Sequence, residues 1–299
     1  MKHTYPKLLI MSLLTCALWG SAAAQQKVQV VTKSITRSFV GANRLNPIIN
    51  AEKATIIING WDKNELKLVI KLISKNIIRK RAEADLDILK YTIKENDQSI
   101  QVSNFFDNNG NYKGVSSNLI ASYEIWCPQD SHIQVTNLYG EITIKGFTGE
   151  VTLKSGFCQV LLSRVNGKAI IISSYDNLSM EHTNVNCTIT GDKTDFNLTD
   201  VAGNYNIKAQ YGSIVVEPAT GLSQLVVDAL RTSVKVSTLN FDEFNYDLKT
   251  SSENIIVPGK YRKMAIVKAN DKSFNYKQPK IQNTIRVTTT NCPIEINQK

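Results

Sequence analysis

The sequence predicts an all-β protein, a single-stranded β-solenoid of 18–21-residue coils behind an N-terminal β-rich cap region with one helix. Apolar residues recur at intervals of 18 through much of the second half. Within each repeat they form i, i+2 pairs, which is the alternation of a strand and not of a helix. Glycine and other small residues separate the pairs. Because one such repeat cannot bury its own apolar side, the repeats are expected to stack.

The composition is that of a globular protein. Of the 299 residues, 42% are hydrophobic and 20% are charged, which excludes a disordered chain. Five cysteines in a chain of this length exclude a small disulfide-bonded scaffold. The one long apolar run lies at the extreme N-terminus, so a polytopic membrane protein is excluded as well. A net charge of +9 favours weak attraction to anionic envelope surfaces.

Residues 1–24 form a predicted secretory signal peptide. Two lysines precede an apolar stretch, and small residues end at Ala24, after which we expect cleavage. The alternative is a lipoprotein signal acylated at Cys16, although Thr15 is a poor residue directly before such a cysteine. No transmembrane segment is expected in the mature chain. These features predict export to the periplasm or the cell surface, where nucleic acid is not an expected partner.

Residues 25–130 are predicted to form the cap region. Residues 54–59 alternate like a strand, and residues 66–72 alternate again after the turn Asn59-Gly60, which favours a hairpin. Residues 76–90 carry apolar side chains at helical spacing and form the one predicted helix. An open solenoid end exposes unpaired strand edges, so a helix-bearing segment ahead of the coils suits a cap.

Residues 131–299 form the predicted solenoid of about nine coils, whose period loosens to 19–21 residues near the C-terminus. The apolar columns are Ile133/Val151/Ala169/Cys187/Tyr205, Val135/Leu153/Ile171/Ile189/Ile207, Ile142/Val160/Leu178/Phe196/Ile214 and Ile144/Leu162/Met180/Leu198/Val216. Two further columns are interpreted as turn punctuation and as a tight inward corner, namely Tyr139/Phe157/Tyr175/Lys193/Tyr211 and Ser155/Ser173/Gly191/Ala209. A β-sandwich or a chain of hairpins would not require such identical columns.

Short motifs in a fixed order carry a family resemblance. They are Asn59-Gly60-Trp61-Asp62, Ala82-Glu83-Ala84, Tyr123 before Cys127-Pro128, and residues 137–144 with the aromatic–glycine turns that recur after them. Over most of residues 35–260 the chain resembles the adhesin-type family of exported bacterial proteins designated DUF4097, close to DUF2807 and common in Bacteroidetes. The resemblance implies a right-handed β-helix and no established enzymatic activity. Lys193-Thr194 and Cys158 depart from the aromatic–glycine pattern.

The predicted function is that of an exported, non-catalytic, adhesin-like structural or binding module of the bacterial cell envelope. No catalytic, cofactor or metal site is predicted, because Cys-x-x-Cys pairs, paired histidines and phosphate-cradling glycine motifs are missing from the sequence. Any contact with an envelope glycan or protein would use outward residues of the coils, with the candidates Lys154, Arg164, Glu181, His182, Lys208 and Glu217. Arg164, His182 and Asp200 form either a small polar site or a solvated ladder of charges.

Two alternatives stay open. β-Helices also host polysaccharide lyases and hydrolases, whose chemistry needs clustered carboxylates. The candidate carboxylates are Asp176, Asp192, Asp195 and Asp200, although aspartates also occupy turns as backbone caps. The second alternative is a scaffold that binds another envelope protein.

The cysteines of the mature chain enter an oxidising compartment, where disulfides form. Cys187 occupies an inward column and is predicted to be a buried, apolar, unpaired residue. Cys158 falls at a turn, so the register argues against a bond between these two. The state of Cys127, Cys158 and Cys292 stays open.

Overall fold

The computed structural model describes residues 27–41, 46–107, 114–268 and 270–299. This part of the chain is mostly β and folds into one mixed sheet of 16 strands, with one α-helix, α1 (Arg79–Leu86), and 3-10 helices at Phe241–Glu243 and Gly259–Met264. The predicted signal peptide and Cys16 lie outside the described residues. In chain order the strands are β1 (Gln29–Val40), β2 (Asn46–Trp61), β3 (Glu65–Asn76), β4 (Leu89–Glu95), β5 (Ser99–Phe106), β6 (Asn118–Pro128), β7 (His132–Phe147), β8 (Glu150–Ser174), β9 (Asn177–Asp192), β10 (Asp195–Thr238), β11 (Asn245–Ser251), β12 (Ile255–Ile256), β13 (Ala265–Lys268), β14 (Asp271–Tyr276), β15 (Thr284–Thr290) and β16 (Ile294–Gln298).

Strands β7 to β10 pair in parallel with a constant offset of 18 residues. Val135 lies beside Leu153, Ile171 beside Ile189, and Tyr205 beside Cys187. The predicted stacking of residues 18 apart is therefore confirmed for these strands. The solenoid as a whole and the right-handed sense of its coils stay predictions.

The longest strands bend around corners of the molecule. β10 has 44 residues, which would reach about 145 Å if it ran straight. Within β10 the backbone enters the left-handed region at Asp200, Tyr211 and Arg231, with φ between 48° and 56°. These residues turn the chain without ending its parallel pairing.

The four predicted apolar columns form the core of the stack. All twenty of their side chains are buried, with at most 3% of their surface exposed. Tyr205 is the largest member of its column, and its hydroxyl lies 2.7 Å from Oγ1 of Thr183, which satisfies the buried phenol. Burial is what the i, i+2 pattern predicted for these positions.

The N-terminal strands join the same sheet. β2 pairs in parallel with β7, so that Ile56 lies beside Ile142. The predicted hairpin between residues 54–59 and 66–72 is wrong, because β6 lies between β2 and β3 and its Ala121 pairs with both Ala54 and Leu72. Gly60 serves close packing here instead of a hairpin turn, since a Cβ at this position would lie 2.0 Å from the carbonyl oxygen of Gly146.

The helix α1 is shorter than the predicted span of residues 76–90. Ile78 is extended, with φ −105° and ψ 112°, and the helix begins only after it. β-Branched residues lose side-chain freedom in a helix, which favours an extended backbone at Ile77 and Ile78. The C-terminal end of the predicted span already belongs to β4. Assignment of residues 25–130 to a cap stays a prediction.

The C-terminal strands do not stack in chain order, which corrects the expected run of nine successive coils. β15 pairs in parallel with both β10 and β11 and so lies between them. β14 is antiparallel to β11, and β13 is antiparallel to β14. This order could not be predicted from the sequence, because i, i+2 alternation is the same in parallel and antiparallel strands.

Candidate binding surface

One corner of the stack presents a column of large side chains to solvent. This aromatic corner consists of Tyr139, Phe157, Tyr175, Lys193, Tyr211 and Arg231. All six residues have a left-handed backbone, with φ between 48° and 65°. Glycines that follow the corner residues allow close packing, since a Cβ on Gly140 or Gly212 would lie 2.1 Å from a neighbouring carbonyl oxygen. A left-handed backbone therefore recurs at the same position of each 18-residue repeat from Tyr139 to Tyr211.

Three rings of the aromatic corner stack on one another. The centroids of Tyr139 and Phe157 are 5.0 Å apart, and those of Phe157 and Tyr175 are 4.7 Å apart, with interplanar angles of 21° and 10°. The three residues are nevertheless exposed to solvent, with 43% of the surface accessible for Tyr139, 48% for Phe157 and 46% for Tyr175. The faces of the rings cover each other while their edges remain open to a partner.

Two cations extend the ladder of rings. The Nζ atom of Lys193 lies 4.5 Å from the ring centroid of Tyr175 and donates a hydrogen bond to its hydroxyl. This hydrogen bond raises the pKa of Lys193 and keeps its ammonium charged. The guanidinium of Arg231 lies 5.8 Å from the ring centroid of Tyr211. The corner thus combines aromatic edges with positive charge.

Behind the rings, the corner is held by buried polar groups. The carboxylate of Asp176 is 3% exposed and accepts hydrogen bonds of 2.6 Å from the hydroxyls of Ser155 and Ser173 and from the backbone N–H of Cys158. The Asn137 amide donates to the carbonyl oxygen of Ala54 at 3.0 Å. These bonds tie adjacent coils together at the turn. Asp176, a candidate carboxylate for catalysis, is engaged in structural hydrogen bonds instead.

The predicted contact residues are divided between two regions of the surface. Lys154 and Lys208 share one outward column with Ile172 and Thr190 between them, so they lie about 14 Å apart. Neither lysine makes an ion pair or side-chain hydrogen bond with another described residue. Lys208 borders a shallow groove of about 290 Å³ beside the aromatic corner, together with Ile172 and Leu230.

Arg164, Glu181 and His182 lie past the aromatic corner along each coil. Nδ1 of His182 is 2.6 Å from Oδ2 of Asp200, and both side chains are more than half exposed. Arg164 has the same left-handed backbone but no polar contact with His182 among the described residues. The geometry is therefore that of an exposed pair in a column of charges. Glu217, farther along, forms an ion pair of 2.9 Å with Lys299.

The remaining candidate carboxylates do not converge. Asp195 accepts a hydrogen bond of 2.6 Å from the Ser213 hydroxyl, which is one coil away in the same turn column. Asp192 borders the groove beside Lys208. Among the described residues, no group of three or more histidine, cysteine or acidic side chains is arranged to hold a metal ion. In the same part of the chain, no helix is long and apolar enough to cross a membrane.

The four cysteines of the described chain are all unpaired. Cys127, Cys158 and Cys187 are buried, and Cys292 is half-buried. The predicted burial of Cys187 is confirmed. Cys158 lies inside the aromatic corner, 3.6 Å from the Asn137 amide nitrogen.

Sequence reasoning missed a second aromatic cluster at the C-terminal end of the stack. Asp242 accepts hydrogen bonds from Tyr276 at 2.5 Å, Tyr261 at 2.7 Å and Gln278 at 3.0 Å. The Tyr276 bond, followed by the Tyr261 bond, lowers the pKa of the Asp242 carboxyl. The hydrogen-bond donors to Asp242 come from separate segments of the chain, so no local sequence motif predicts the cluster. The residues of the aromatic corner were recognised in the sequence as a column, but the solvent exposure of their side chains was not predicted.

Comparison with known proteins gives only distant similarity. No protein-family model and no curated protein matches the chain. Among solved structures, a "putative cell adhesion protein" from Clostridium sporogenes is 14% identical over 90% of this chain and 100% of its own, with a TM-score of 0.26. A "putative lipid binding protein" from Parabacteroides distasonis is 11% identical over 88% of this chain and 96% of its own, with a TM-score of 0.34. At these scores the function has to be argued from the surface itself.

Proposed function

We propose that this chain is an exported, non-catalytic β-solenoid with right-handed coils, and that it serves as an adhesin-like binding module of the bacterial cell envelope. Its site of action is the periplasm or the cell surface. The aromatic corner is its contact surface. The observation that carries the proposal is the stack of three half-exposed rings, Tyr139, Phe157 and Tyr175, on one solvent-facing edge.

The composition of the corner is that of a binding surface. Tyrosine, phenylalanine and arginine are enriched where proteins bind one another, and lysine and arginine add charge selection. Exposed aromatic side chains in a contiguous row are unusual on a surface that binds nothing. The row from Tyr139 to Arg231 spans six coils, or about 24 Å between its ends. A linear contact of this kind suits an extended partner that lies along the corner.

The corner is also organised before any partner arrives. The rings of Phe157 and Tyr175 are stacked, and Lys193 is bonded to the Tyr175 hydroxyl. Side chains that are already ordered lose little conformational entropy on binding. Because the ring faces cover each other, a partner would contact ring edges and phenol hydroxyls. An envelope glycan chain and an envelope protein surface both meet this requirement.

Binding of the purified mature protein, residues 25–299, to bacterial cells tests the proposal. Phe157→Ser removes the central ring and is expected to weaken binding by about tenfold or more, as loss of a hot-spot side chain does. His182→Ser is the matched control, because His182 has a similar φ of 52° and lies on a different corner. The control is expected to bind like the unchanged protein, and thermal unfolding of both variants checks that the fold is retained.

Treatment of the cells identifies the partner class. Protease treatment that abolishes binding indicates a protein partner, and periodate oxidation that abolishes it indicates a glycan. Unchanged binding by Phe157→Ser, or an equal loss in His182→Ser, would contradict a role of the aromatic corner. Release of glycan fragments that is lost in Asp195→Ala would replace the binding function by the enzymatic alternative.

A further inference from the structure

A second exposed apolar surface lies on the N-terminal strands, where β1 pairs with β3. Its apolar members are Val28, Ile77 and Ile78, each with more than half of its surface exposed. Lys75 and Arg81 line the same groove, and Lys80 precedes Arg81 on α1. We infer that this basic–apolar patch docks the protein onto an anionic phospholipid bilayer.

The patch is one continuous surface. In the antiparallel pairing of β1 with β3, Gln29 lies beside Asn76, which brings Val28 next to Ile77. Val28, Ile77 and Ile78 line one open groove of about 740 Å³ together with Lys75 and Arg81. Three branched apolar side chains therefore face solvent together.

The exposure of the two isoleucines is fixed by hydrogen bonds. The Asn76 side chain donates to the hydroxyls of Ser116 and Ser117 at 3.0 Å, and it accepts from the backbone N–H of Ile78 at 3.0 Å. These bonds hold the bend between β3 and α1 against the loop before β6. The isoleucines are thus presented outward by an ordered turn.

The positive charge of the patch is mostly uncompensated. Lys75, Lys80 and Arg81 form no ion pair with a described residue, whereas Arg79 pairs with Glu83 at 2.8 Å. Asp85 is buried and accepts hydrogen bonds from the backbone N–H groups of Ser116 and Ser117, at 3.2 and 3.0 Å. Glu83 and Asp85 are therefore occupied, and Lys75, Lys80 and Arg81 remain free for a partner.

A bilayer surface matches this chemistry better than a folded protein partner does. Apolar tips surrounded by lysine and arginine are the pattern of interfacial membrane binding, in which the tips enter the acyl boundary and the cations contact anionic headgroups. Charge complementarity selects the anionic lipid. β1 is also the last strand at its end of the sheet, so no further described strand covers the patch.

Sedimentation with lipid vesicles tests the inference, with the mature protein and vesicles of phosphatidylglycerol and phosphatidylcholine. We expect binding at low salt that weakens as salt screens the charges, and none to phosphatidylcholine alone. Lys80→Glu with Arg81→Glu is expected to weaken binding by at least about 25-fold, at about fivefold for each cation removed. Ile77→Ser with Ile78→Ser is expected to weaken it by at least about tenfold.

Matched variants at the other end of the sheet serve as controls. Ile266→Ser with Val267→Ser changes two residues that are 54% and 63% exposed, and Arg262→Glu with Lys263→Glu removes two neighbouring exposed cations. Both controls are expected to bind vesicles like the unchanged protein, as is Phe157→Ser, which separates this inference from the proposed function of the aromatic corner. Circular dichroism checks that every variant stays folded.

Three results would overturn the inference. One is the absence of binding to anionic vesicles. Another is an equal loss in the control variants, which would indicate unspecific attraction of a basic protein. The third is a protein that does not bind vesicles and forms a dimer in solution, with the dimer lost in the variant Ile77→Ser with Ile78→Ser. The patch would then be an interface between two copies of the chain.

Discussion

Phe157 combines an unfavourable backbone with two favourable ring contacts. Its φ of 56° lies in the left-handed region, which costs a non-glycine residue about 1–2 kcal/mol. Its ring stacks on Tyr139 and on Tyr175, and an aromatic pair contributes about 0.5–1.5 kcal/mol beyond burial. The cost of the left-handed backbone and the gain from the ring contacts are of the same size, so Phe157 contributes little to the free energy of unfolding. Its exposed edge is then available for binding.

The cysteines differ in how readily they should react. Burial raises the pKa of Cys127 to about 12 and that of Cys158 to about 11, and it raises the pKa of Cys187 as well. Since the thiolate is the reactive form, a raised pKa means that little thiolate exists near pH 8 and that reactivity increases with pH. Burial, and then the charge of Glu253, also raise the pKa of Cys292, but this residue is only half-buried.

We therefore expect a thiol reagent at pH 8 to label only Cys292 readily in the folded mature protein. After unfolding without a reductant, all four cysteines should react. Cys292→Ser is expected to remove the fast reaction and to leave three thiols. Fewer than four thiols in the unfolded, unchanged protein would contradict the free state of the cysteines, because a disulfide would then be present.

Within one coil, Gly191 and Phe196 are matched in size. A Cβ at position 191 would lie 2.3 Å from Cζ of the Phe196 ring. The same column has serine at 155 and 173 and alanine at 209, where the partner residue is smaller than phenylalanine. The glycine thus makes room for the one phenylalanine of its column.

Gly191→Ala is expected to lower the free energy of unfolding by about 1–3 kcal/mol, through overpacking. Phe196→Leu alone should also destabilise, by leaving a cavity. The double variant should be less destabilised than the sum of the two, since leucine makes room for the added methyl group. Urea unfolding measures all three, with Gly156→Ala as control, because a Cβ there would meet the flexible end of Leu138 at 3.0 Å and the Ser174 carbonyl oxygen at an ordinary contact distance of 3.7 Å. Strict additivity would contradict the packing argument.

The elements that could be predicted are those with an exact repeat. Columns such as Val135, Leu153 and Ile171 carry the register in their spacing, and the structure has them buried in parallel strands. The order of the C-terminal strands in the sheet could not be predicted. The alternation of apolar residues in β13 and β14 indicates which side chains face inward, but it does not indicate which strand is adjacent. The aromatic corner was readable as a turn, but its stacking and exposure depend on the path of the backbone.

For the molecule as a whole, stability is expected to vary along the stack. β7, β8 and β9 have strand partners on both sides, whereas β1 and β13 lie at the two ends of the sheet order. End strands have one partner only, and local opening exposes their amides first. β13 has four residues and includes Lys268, and short, charged edges of this kind hinder pairing with other chains.

Hydrogen exchange followed by mass spectrometry is expected to report this gradient. Peptides from residues 133–216 should exchange slowest, and peptides from β1 and β13 should exchange fastest among the strands. Comparison with β3, which is flanked by β1 and β6, provides an internal reference for the N-terminal end. Uniform protection from β1 to β13 would contradict a stack that opens from its ends.

The position of β15 has a consequence for the order in which the protein can be completed. β11 reaches β10 through β15, which follows both strands in the sequence and is therefore synthesised after them. Until residues 284–290 have been synthesised, β11 therefore lacks the strand that joins it to β10. A stop codon before residue 284 would therefore leave β11, β14 and β13 without a strand that connects them to β10.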